Sequence, residues 1–543
     1  MTAFALTLDR VTHTLPDGRV LFSDLSAHLD TTPTGLVGRN GVGKSVLGRL
    51  LAGQVAPGSG HIQRQGKVHL LAQHSGPLPG RIADLAGVGP VLDALGRIEA
   101  GGVDPQDFAL VGDRWNLRDD LQAQWQRLGL PALDPAQPAA RLSGGQAMQV
   151  ALAGALLSDA DALVLDEPSN HLDSAHRQRL IDALAQWRGG LIVISHDRAL
   201  LRHMQRIVEL TPSGLRSYGG NYDLYAVQRK EEQDAAEAQL ALRKRGRRQE
   251  QAALREQRER LEHRHSRAQR DARTANQAPI LLGGMKNRAE QSAGRVQAQQ
   301  AERRAAADSR VRDAAAGIDH TVQIAMLGPT LVAPGPQQVA TLADVQLPWV
   351  DAPWQRLDLR IQRGDRIGVR GRNGSGKSTL LRVLAGQLEP LAGEVKRAAS
   401  TALLDQTLSS LPAQDSALRL LQRANPHASD ATLRTQLALL GLDAERSLRP
   451  LHTLSGGERM KAALGAVLYA DVPPQLLLLD EPGNHLDLAS LDALEQMLTH
   501  YRGSLVIVSH DHALLDAVGL SHVLDATPSG WTLRHQDLQH QDL

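Results

Sequence analysis

The sequence predicts two tandem α/β domains joined by a long α-helical hairpin, and three observations predict it. A set of motifs occurs twice in the same order, short wholly apolar runs flank the motifs in both copies, and the stretch between the copies is charged and free of aromatic residues. The copies come first, because self-similarity fixes the domain plan before any local reading. Gly38-Arg39-Asn40-Gly41-Val42-Gly43-Lys44-Ser45 returns as Gly371-Arg372-Asn373-Gly374-Ser375-Gly376-Lys377-Ser378, 333 residues further on. Leu142-Ser143-Gly144-Gly145-Gln146 returns as Leu454-Ser455-Gly456-Gly457-Glu458, residues 163–168 return as 477–482, and Ile194-Ser195-His196-Asp197 returns as Val508-Ser509-His510-Asp511. The internal spacings agree: 29 residues from the loop lysine to a glutamine (Gln73, Gln406), and 30 from Asp166 to His196 and from Asp480 to His510. From that glutamine to the Ser-Gly-Gly motif the distance is 70 residues in the first copy and 49 in the second, so the first carries an insertion between residues 74 and 141.

The apolar runs place these motifs on a sheet. Residues 162–165, 191–194, 476–479 and 505–508 are apolar throughout, as strands of a parallel sheet covered on both faces must be. Residues 35–37 and 366–369 read as strands leading into the two glycine-rich loops, with helices expected from near Val46 and Thr379. The expected boundaries are 1–225 for the first domain, 226–320 for the linker and 321–543 for the second domain.

G-x-x-x-x-G-K-S between a strand and a helix is a P-loop, whose backbone N–H groups wrap a phosphate chain while the lysine reaches the β/γ-phosphates and the hydroxyl meets Mg²⁺. Gly38, Asn40, Gly41, Gly43, Lys44 and Ser45 form one candidate cradle; Gly371, Asn373, Gly374, Gly376, Lys377, Ser378 and Thr379 form the other. Asp166 and Asp480 end apolar strands, where a carboxylate can hold the metal. Glu167 and Glu481 follow as candidate general bases for an attacking water. A lone glutamate at a strand end is better read as a solvated cap; beside an aspartate, at P-loop spacing and in duplicate, the catalytic reading wins. His196 and His510, at matched spacing from the acidic pairs, are candidate γ-phosphate sensors. Ser143-Gly144-Gly145 and Ser455-Gly456-Gly457 open helices with a hydroxyl and free N–H groups, the makings of a second anion site.

L-S-G-G-[Q/E] between a P-loop and D-E-P resembles the signature of ATP-binding-cassette domains. The resemblance implies two P-loop cassettes facing head to tail, each ATP held by one P-loop and the other cassette's signature. One site would then pair Lys44, Ser45, Gln73, Asp166, Glu167 and His196 with Ser455 and Gly457. The other would pair Lys377, Ser378, Gln406, Asp480, Glu481 and His510 with Ser143 and Gly145. Gln73 and Gln406 join Ser45, Ser378, Asp166 and Asp480 as implied Mg²⁺ ligands, ATP and Mg²⁺ being the implied cofactors. Two departures stand out. Val46 replaces the family's usual Thr, and no base-stacking aromatic precedes the first P-loop, where Leu15 or His13 falls, whereas Trp349 and Trp354 precede the second.

Asn170-His171-Leu172-Asp173, Asn484-His485-Leu486-Asp487 and residues 218–225, Tyr-Gly-Gly-Asn-Tyr-Asp-Leu-Tyr, are similar to motifs of the ABC-F subfamily, with Gly483 where Ser or Thr is usual. That resemblance covers nearly the whole chain. It implies a cytoplasmic ATPase that binds the ribosomal E site, with its linker toward the P-site tRNA and the peptidyl-transferase region, acting as a translation factor or an antibiotic-resistance factor. A monomer whose cassettes pair within one chain is expected. The alternatives are a DNA-maintenance ABC-F ATPase, less expected because the chain ends soon after His510 without a further coiled coil, and the motor of a transporter with a separate membrane subunit.

The linker has its own chemistry. From Ala226 its Arg, Gln, Glu and Ala are good helix formers, and the stretch to about Ala275 extends roughly 75 Å as a helix. Pro279, Gly283 and Gly284 then punctuate it, so a hairpin with its tip near residues 276–285 is expected. Leu240, Leu254, Leu261 and Ala268 share one heptad position, interrupted by Arg247, a stripe that zips helices but makes no core. The whole chain has 60 Lys+Arg against 59 Asp+Glu, a formal charge of +1, which conceals a segregation. Residues 243–312 hold 19 Lys+Arg and 8 Asp+Glu, leaving 41 against 51 elsewhere. No Phe, Trp or Tyr occurs in residues 226–348, so stacking on bases is excluded there and RNA contact would be to phosphate and shape. A solvated coiled coil with i,i+4 pairs such as Arg255 with Glu259 is the bland alternative. Zero cysteine excludes disulfides, thiolate metal sites and thiol nucleophiles. No apolar run approaches the ~18 residues of a membrane span, and the first ten residues lack a secretion signal.

Overall fold

The computed structural model describes residues 4–72, 78–170, 172–274, 301–302, 305–306, 308–310, 336–397, 400–406, 408, 411–484 and 486–536. Gln73 and the hairpin tip expected near residues 276–285 lie outside them. The chain gathers into two units, Met1–Asp223 with Val322–Leu543, and Leu224–Thr321.

Within the first unit, the described residues of the leading cassette form nine strands: β1 (Ala5–Thr14), β2 (Val20–Leu29), β3 (Thr34–Gly38), β4 (Ser59–Gln65), β5 (Val68–Leu71), β6 (Ala162–Asp166), β7 (Gly190–Ile194), β8 (Arg206–Thr211) and β9 (Gly214–Gly219). They make a six-stranded sheet in the order β5-β6-β7-β3-β8-β9, parallel except for β9, and a small antiparallel sheet β2-β1-β4. The second cassette repeats both sheets with β10 (Gln338–Gln346), β11 (Arg356–Gln362), β12 (Arg366–Gly371), β13 (Ala392–Arg397), β14 (Thr401–Leu404), β15 (Leu476–Asp480), β16 (Ser504–Val508), β17 (His522–Thr527) and β18 (Gly530–His535). All four apolar runs form fully buried strands. Successive side chains of a strand point to opposite faces, and the core follows that rule. Leu477 and Leu479 join one hydrophobic cluster with Leu505 and Ile507, while Leu476 and Leu478 join another with Val506 and Val508.

Three features depart from the expected boundaries or refine them. The strands before the acidic pairs run one residue further, taking in Asp166 and Asp480, which pair in register with Ile194 and Val508. The helices after the P-loops open at Lys44 and Lys377, two residues earlier than expected, because Gly43 and Gly376 in the left-handed region turn the chain directly into the first helical turn. A Cβ on Gly43 would sit 2.6 Å from Leu21, and one on Gly376 2.7 Å from Val350, so packing as well as φ requires glycine. The third is the extra chain of the first cassette. Residues 82–127 form helices Ile82–Leu85, Gly89–Glu99, Pro105–Val111 and Leu117–Arg127, where the described residues of the second cassette form the two α-helices Ala417–Ala424 and Asp430–Leu439.

The second unit is described from its outgoing helix, which begins at the end of the first cassette and runs Tyr222–Thr274, 53 residues, about 80 Å of helix. Arg247 pairs with Asp308 at 3.4 Å and Arg310 with Glu250 at 3.1 Å, which lays the segment around residues 308–310 beside the outgoing helix. Arg260 also pairs with Glu256 one turn away. Among the described residues no helix is long and apolar enough to cross a membrane.

Candidate active site

The sheet order explains why distant motifs meet. In an open parallel sheet, ligands bind outside the carboxyl ends of the strands. β6, β7 and β3 are neighbours, so their carboxyl ends place Asp166-Glu167, Ser195-His196 and the first P-loop side by side. β15, β16 and β12 do the same for Asp480-Glu481, Ser509-His510 and the second P-loop.

In the P-loops, Lys44 Nζ donates to the carbonyls of Gly38 at 2.8 Å and Arg39 at 3.0 Å, and Lys377 Nζ to those of Gly371 at 2.9 Å and Arg372 at 3.0 Å. Each lysine thus lies along the rim of its own loop. Burial lowers both lysine pKa values, opposed first by Glu167 in the one site and Glu481 in the other. Asp166 and Asp480 are pushed up by burial and pulled back by hydrogen bonds from Ser45 and Ser378. A carboxylate against a hydroxyl, with Asp166 Oδ1 buried and unpartnered, is an oxygen donor set that suits Mg²⁺.

Glu167 and Glu481 have φ of 51° and 48°, a left-handed conformation that non-glycine residues seldom adopt and that concentrates at functional sites. Their amides donate back into the sheet, to Ile194 O at 2.8 Å and Val508 O at 2.9 Å, which holds the turn in place. Burial raises the Glu167 carboxyl to about 8, with Lys44 pulling the other way, and raises Glu481 to about 7 against Lys377. His196 Nε2 lies 3.6 Å from Glu167 Oε1, and His510 Nε2 lies 3.4 Å from Glu481 Oε1. Burial drives His196 down to about 3 and His510 to about 4, so both rings are neutral at pH 7. A buried carboxyl with a raised pKa beside a neutral imidazole and a phosphate cradle can accept a proton from a water and hold the acceptor end of a phosphoanhydride.

The cassettes meet through the aspartates that end the two N-H-L-D strings, Asp173 and Asp487. The Asn40 amide donates to Asp487 Oδ2 at 2.9 Å, and the Asn373 amide to Asp173 Oδ2 at 3.3 Å, so each P-loop is capped by an aspartate of the other cassette. The duplicated N-H-L-D strings carried that signal. A cavity of about 490 Å³ brings Lys377, Ser378, Thr379, Gln406, Asp480, Glu481 and His510 together with Glu167, His196, Asn170 and Arg177 of the first cassette. Trp349 lines it too and is 84% exposed, whereas Trp354 donates its indole N–H to Thr527 O and is held against the fold. The residue that precedes the P-loop contact Leu21, as Trp349 precedes Val350, is Val20, 56% exposed.

Ser143 and Ser455 cap the helices Gly144–Leu156 and Gly456–Leu468 in reciprocal boxes with Gln146 and Glu458. Gly144, Gly145, Gly456 and Gly457 form their first turns, and none of these six residues lines the cavity. Further along the second of these helices, Lys461 feels Asp487 and Arg39 of the first P-loop, which sets that helix near the first site. Gln73 is outside the described residues, and Gln406 is exposed on the cavity wall.

A family model described as ABC transporter matches residues 25–170 and 354–484. The chain is 31% identical over 516 residues to the probable ATP-binding protein YheS of Escherichia coli K12, covering 92% of this chain and 75% of the relative. It is 32% identical over 545 residues to the tylosin resistance ATP-binding protein TlrC of Streptomyces fradiae, covering 93% and 95%. Among solved structures, an archaeal ribosome recycling factor, aABCE1, in complex with the ribosomal stalk protein aP1 aligns with a TM-score of 0.57 at 19% identity, covering 96% of this chain and 88% of that one, a likeness of fold. With its duplicated P-loops and strand-end carboxylates, the chain belongs to the ATP-binding-cassette ATPases, as a tandem-cassette member of the ABC-F subfamily.

Proposed function

We propose that the chain is a cytoplasmic ATP-driven clamp that acts on the ribosome, either as a translation factor or as a factor that protects the ribosome from an antibiotic. Two ATP molecules are held between the cassettes. Gly41, Gly43 and the Lys44 ammonium cradle the phosphates of one and Gly374, Gly376 and Lys377 those of the other, with Ser455-Gly456-Gly457 and Ser143-Gly144-Gly145 closing from the opposite cassette. Ser45, Asp166 and Gln73, and Ser378, Asp480 and Gln406, are the oxygen donors for Mg²⁺, which when bound neutralises phosphate charge. Glu167 and Glu481 take the proton of the attacking water, and neutral His196 and His510 orient toward the terminal phosphate.

The observation that carries the clamp is the reciprocal aspartate contact: Asp487 on the first P-loop and Asp173 on the second tie each site's geometry to the closure of the pair. Nucleotide contacts made only in the closed form favour it, and hydrolysis removes them. Two further facts favour a ribosomal target. One relative is named for tylosin resistance, and a structural neighbour is described as a ribosome recycling factor. The linker's 19 Lys+Arg against 8 Asp+Glu, without an aromatic residue, suits rRNA and tRNA phosphates. The finer reading places the protein in the E site with the linker toward the P-site tRNA and the peptidyl-transferase region.

The test is sedimentation of Glu167→Gln/Glu481→Gln with ribosomes, with and without ATP. Co-sedimentation with ATP, lost steeply as salt rises from about 50 to about 200 mM, is expected. A protein that stays in the supernatant with ATP, or pellets with membranes or DNA instead, overturns the ribosomal reading. Inhibitory concentrations across a drug panel, with and without the gene, then separate a protection factor from a translation factor.

A further inference from the structure

Two arginines of the first cassette reach across to the second, and neither has a counterpart there. Arg198, two residues after His196, is 7% exposed and pairs with Asp492 at 2.8 Å and with Glu495, both on the helix Leu488–His500 of the second cassette. The matching position after His510 is His512. Arg177, four residues after Asp173, has Leu491 as its match after Asp487. Arg198 braces one helix against another. Arg177 does something different, because both of its partners belong to histidine loops.

Arg177 Nε lies 2.8 Å from Asp197 Oδ2, and Arg177 Nη1 donates to the main-chain oxygen of His510 at 2.8 Å. Asp197 directly follows His196, and its other oxygen accepts the amides of Ala199 and Leu200 at 3.0 and 3.4 Å, which caps the helix Arg198–Leu201. One planar, largely buried fork therefore joins the chain just after His196 to the peptide of His510. Either loop can shift only by bending or breaking that bridge. A point charge or an apolar side chain such as Leu491 cannot span the Asp197 carboxylate and the His510 main-chain oxygen together, so the link runs through the first cassette alone.

We propose that Arg177 is a positioning residue that couples the two nucleotide sites by tying their histidine loops together. The proposal rests on the reading of both sites as ATP sites. Coupling between binding sites is reciprocal, so nucleotide held at the Lys377 site changes affinity at the Lys44 site and the reverse.

The experiment uses the full chain with Arg177→Met, Arg177→Lys and Arg198→Met, each alone and combined with Glu481→Gln. Two readouts are taken, steady-state ATP hydrolysis and the binding isotherm of the fluorescent analogue TNP-ATP. With Arg177 present, Glu481→Gln, which keeps nucleotide at the second site, is expected to change the affinity of the first site for nucleotide by about fivefold or more. With Arg177→Met that change shrinks below about twofold, and the KM for ATP no longer responds to Glu481→Gln. TNP-ATP binding is cooperative with Arg177 and loses its cooperativity in Arg177→Met. Arg177→Lys behaves like Arg177→Met, and Arg198→Met keeps the coupling. Non-cooperative binding by the unmodified protein, cooperativity that survives Arg177→Met, full rescue by lysine, or equal loss in Arg198→Met overturns the proposal. A failure of the glutamate assignment looks different: hydrolysis is undiminished in Glu167→Gln/Glu481→Gln while Arg177→Met still abolishes cooperative binding.

Discussion

The two cassettes agree at their strand ends and differ on the surfaces they turn toward each other. Glu167 and Glu481 share a left-handed φ within a few degrees, a hydrogen bond donated by the amide to the neighbouring strand, a raised carboxyl pKa and a histidine within 3.4–3.6 Å. Across the interface the pairing breaks down: Arg177 faces what the second cassette fills with Leu491, Arg198 has His512 as its match, and Trp349 has Val20. The signature helices differ as well, Lys461 standing where the first has Gln149, which donates instead to Leu128 O. The groups that would meet phosphate are alike in the two copies, and the groups turned toward the opposite cassette are not.

The sharpest way to break the likeness is to remove one base at a time. Glu167→Gln is expected to lower single-turnover hydrolysis at the first site about a hundredfold or more, and Glu481→Gln to do the same at the second, each leaving the other site active. Were Glu481→Gln to leave total turnover untouched, the second site would be a binding site only, and its strand-end geometry would not imply chemistry.

What could be read in advance follows the same division. Strand identity, the P-loops and the acidic pairs were legible because the sequence states them twice at equal spacing, and wholly apolar runs of four leave little choice but a buried parallel strand. The early start of the helices at Lys44 and Lys377 was not, since the turn depends on a left-handed glycine backed by Leu21 or Val350. Asp173 and Asp487 were in plain view within N-H-L-D, but their partners Asn373 and Asn40 lie 200 and 447 residues away, and only the assembled pair shows which loop each caps. Arg177 carried no signal at all. It is unduplicated, sits on a helix rich in polar residues, and acquires meaning from a backbone oxygen 333 positions later.

Base recognition offers a second, smaller test of the difference. Trp349 borders the second site and Val20 the matching place in the first. Stacking of a base on an aromatic is worth about 1–3 kcal/mol, so Trp349→Ala in the Glu167→Gln background is expected to raise the KM for ATP about tenfold with little change in kcat. Val20→Trp in the Glu481→Gln background should lower the KM of the first site. An unchanged KM in Trp349→Ala would remove base stacking from the list of differences.

The smallest expected effect concerns the ligand-free protein and distinguishes the two carboxyls by their burial. Glu167 rises from an ordinary 4.5 to about 8 and Glu481 to about 7. A folded state that holds a proton more tightly than the unfolded chain loses stability as pH rises from the unfolded to the folded pKa. The histidines act in the opposite sense: lowered from 6.5 to about 3 and about 4, His196 and His510 contribute stability that is lost as pH falls through that lower window. Above about pH 6.5 the glutamates therefore stand without that opposition. Glutamine cannot ionise, so the Tm advantage of Glu167→Gln over the unmodified protein should grow by about 1–3 °C between about pH 6.5 and 8.5. For Glu481→Gln, whose titration is largely complete by about pH 7.5, the growth over the same interval should be smaller. Calorimetric scans without nucleotide provide the comparison, because bound ATP would add its own stabilisation. An advantage that is flat with pH for both variants would mean that the two carboxyls are already ionised at neutral pH, and that burial has not separated the sites.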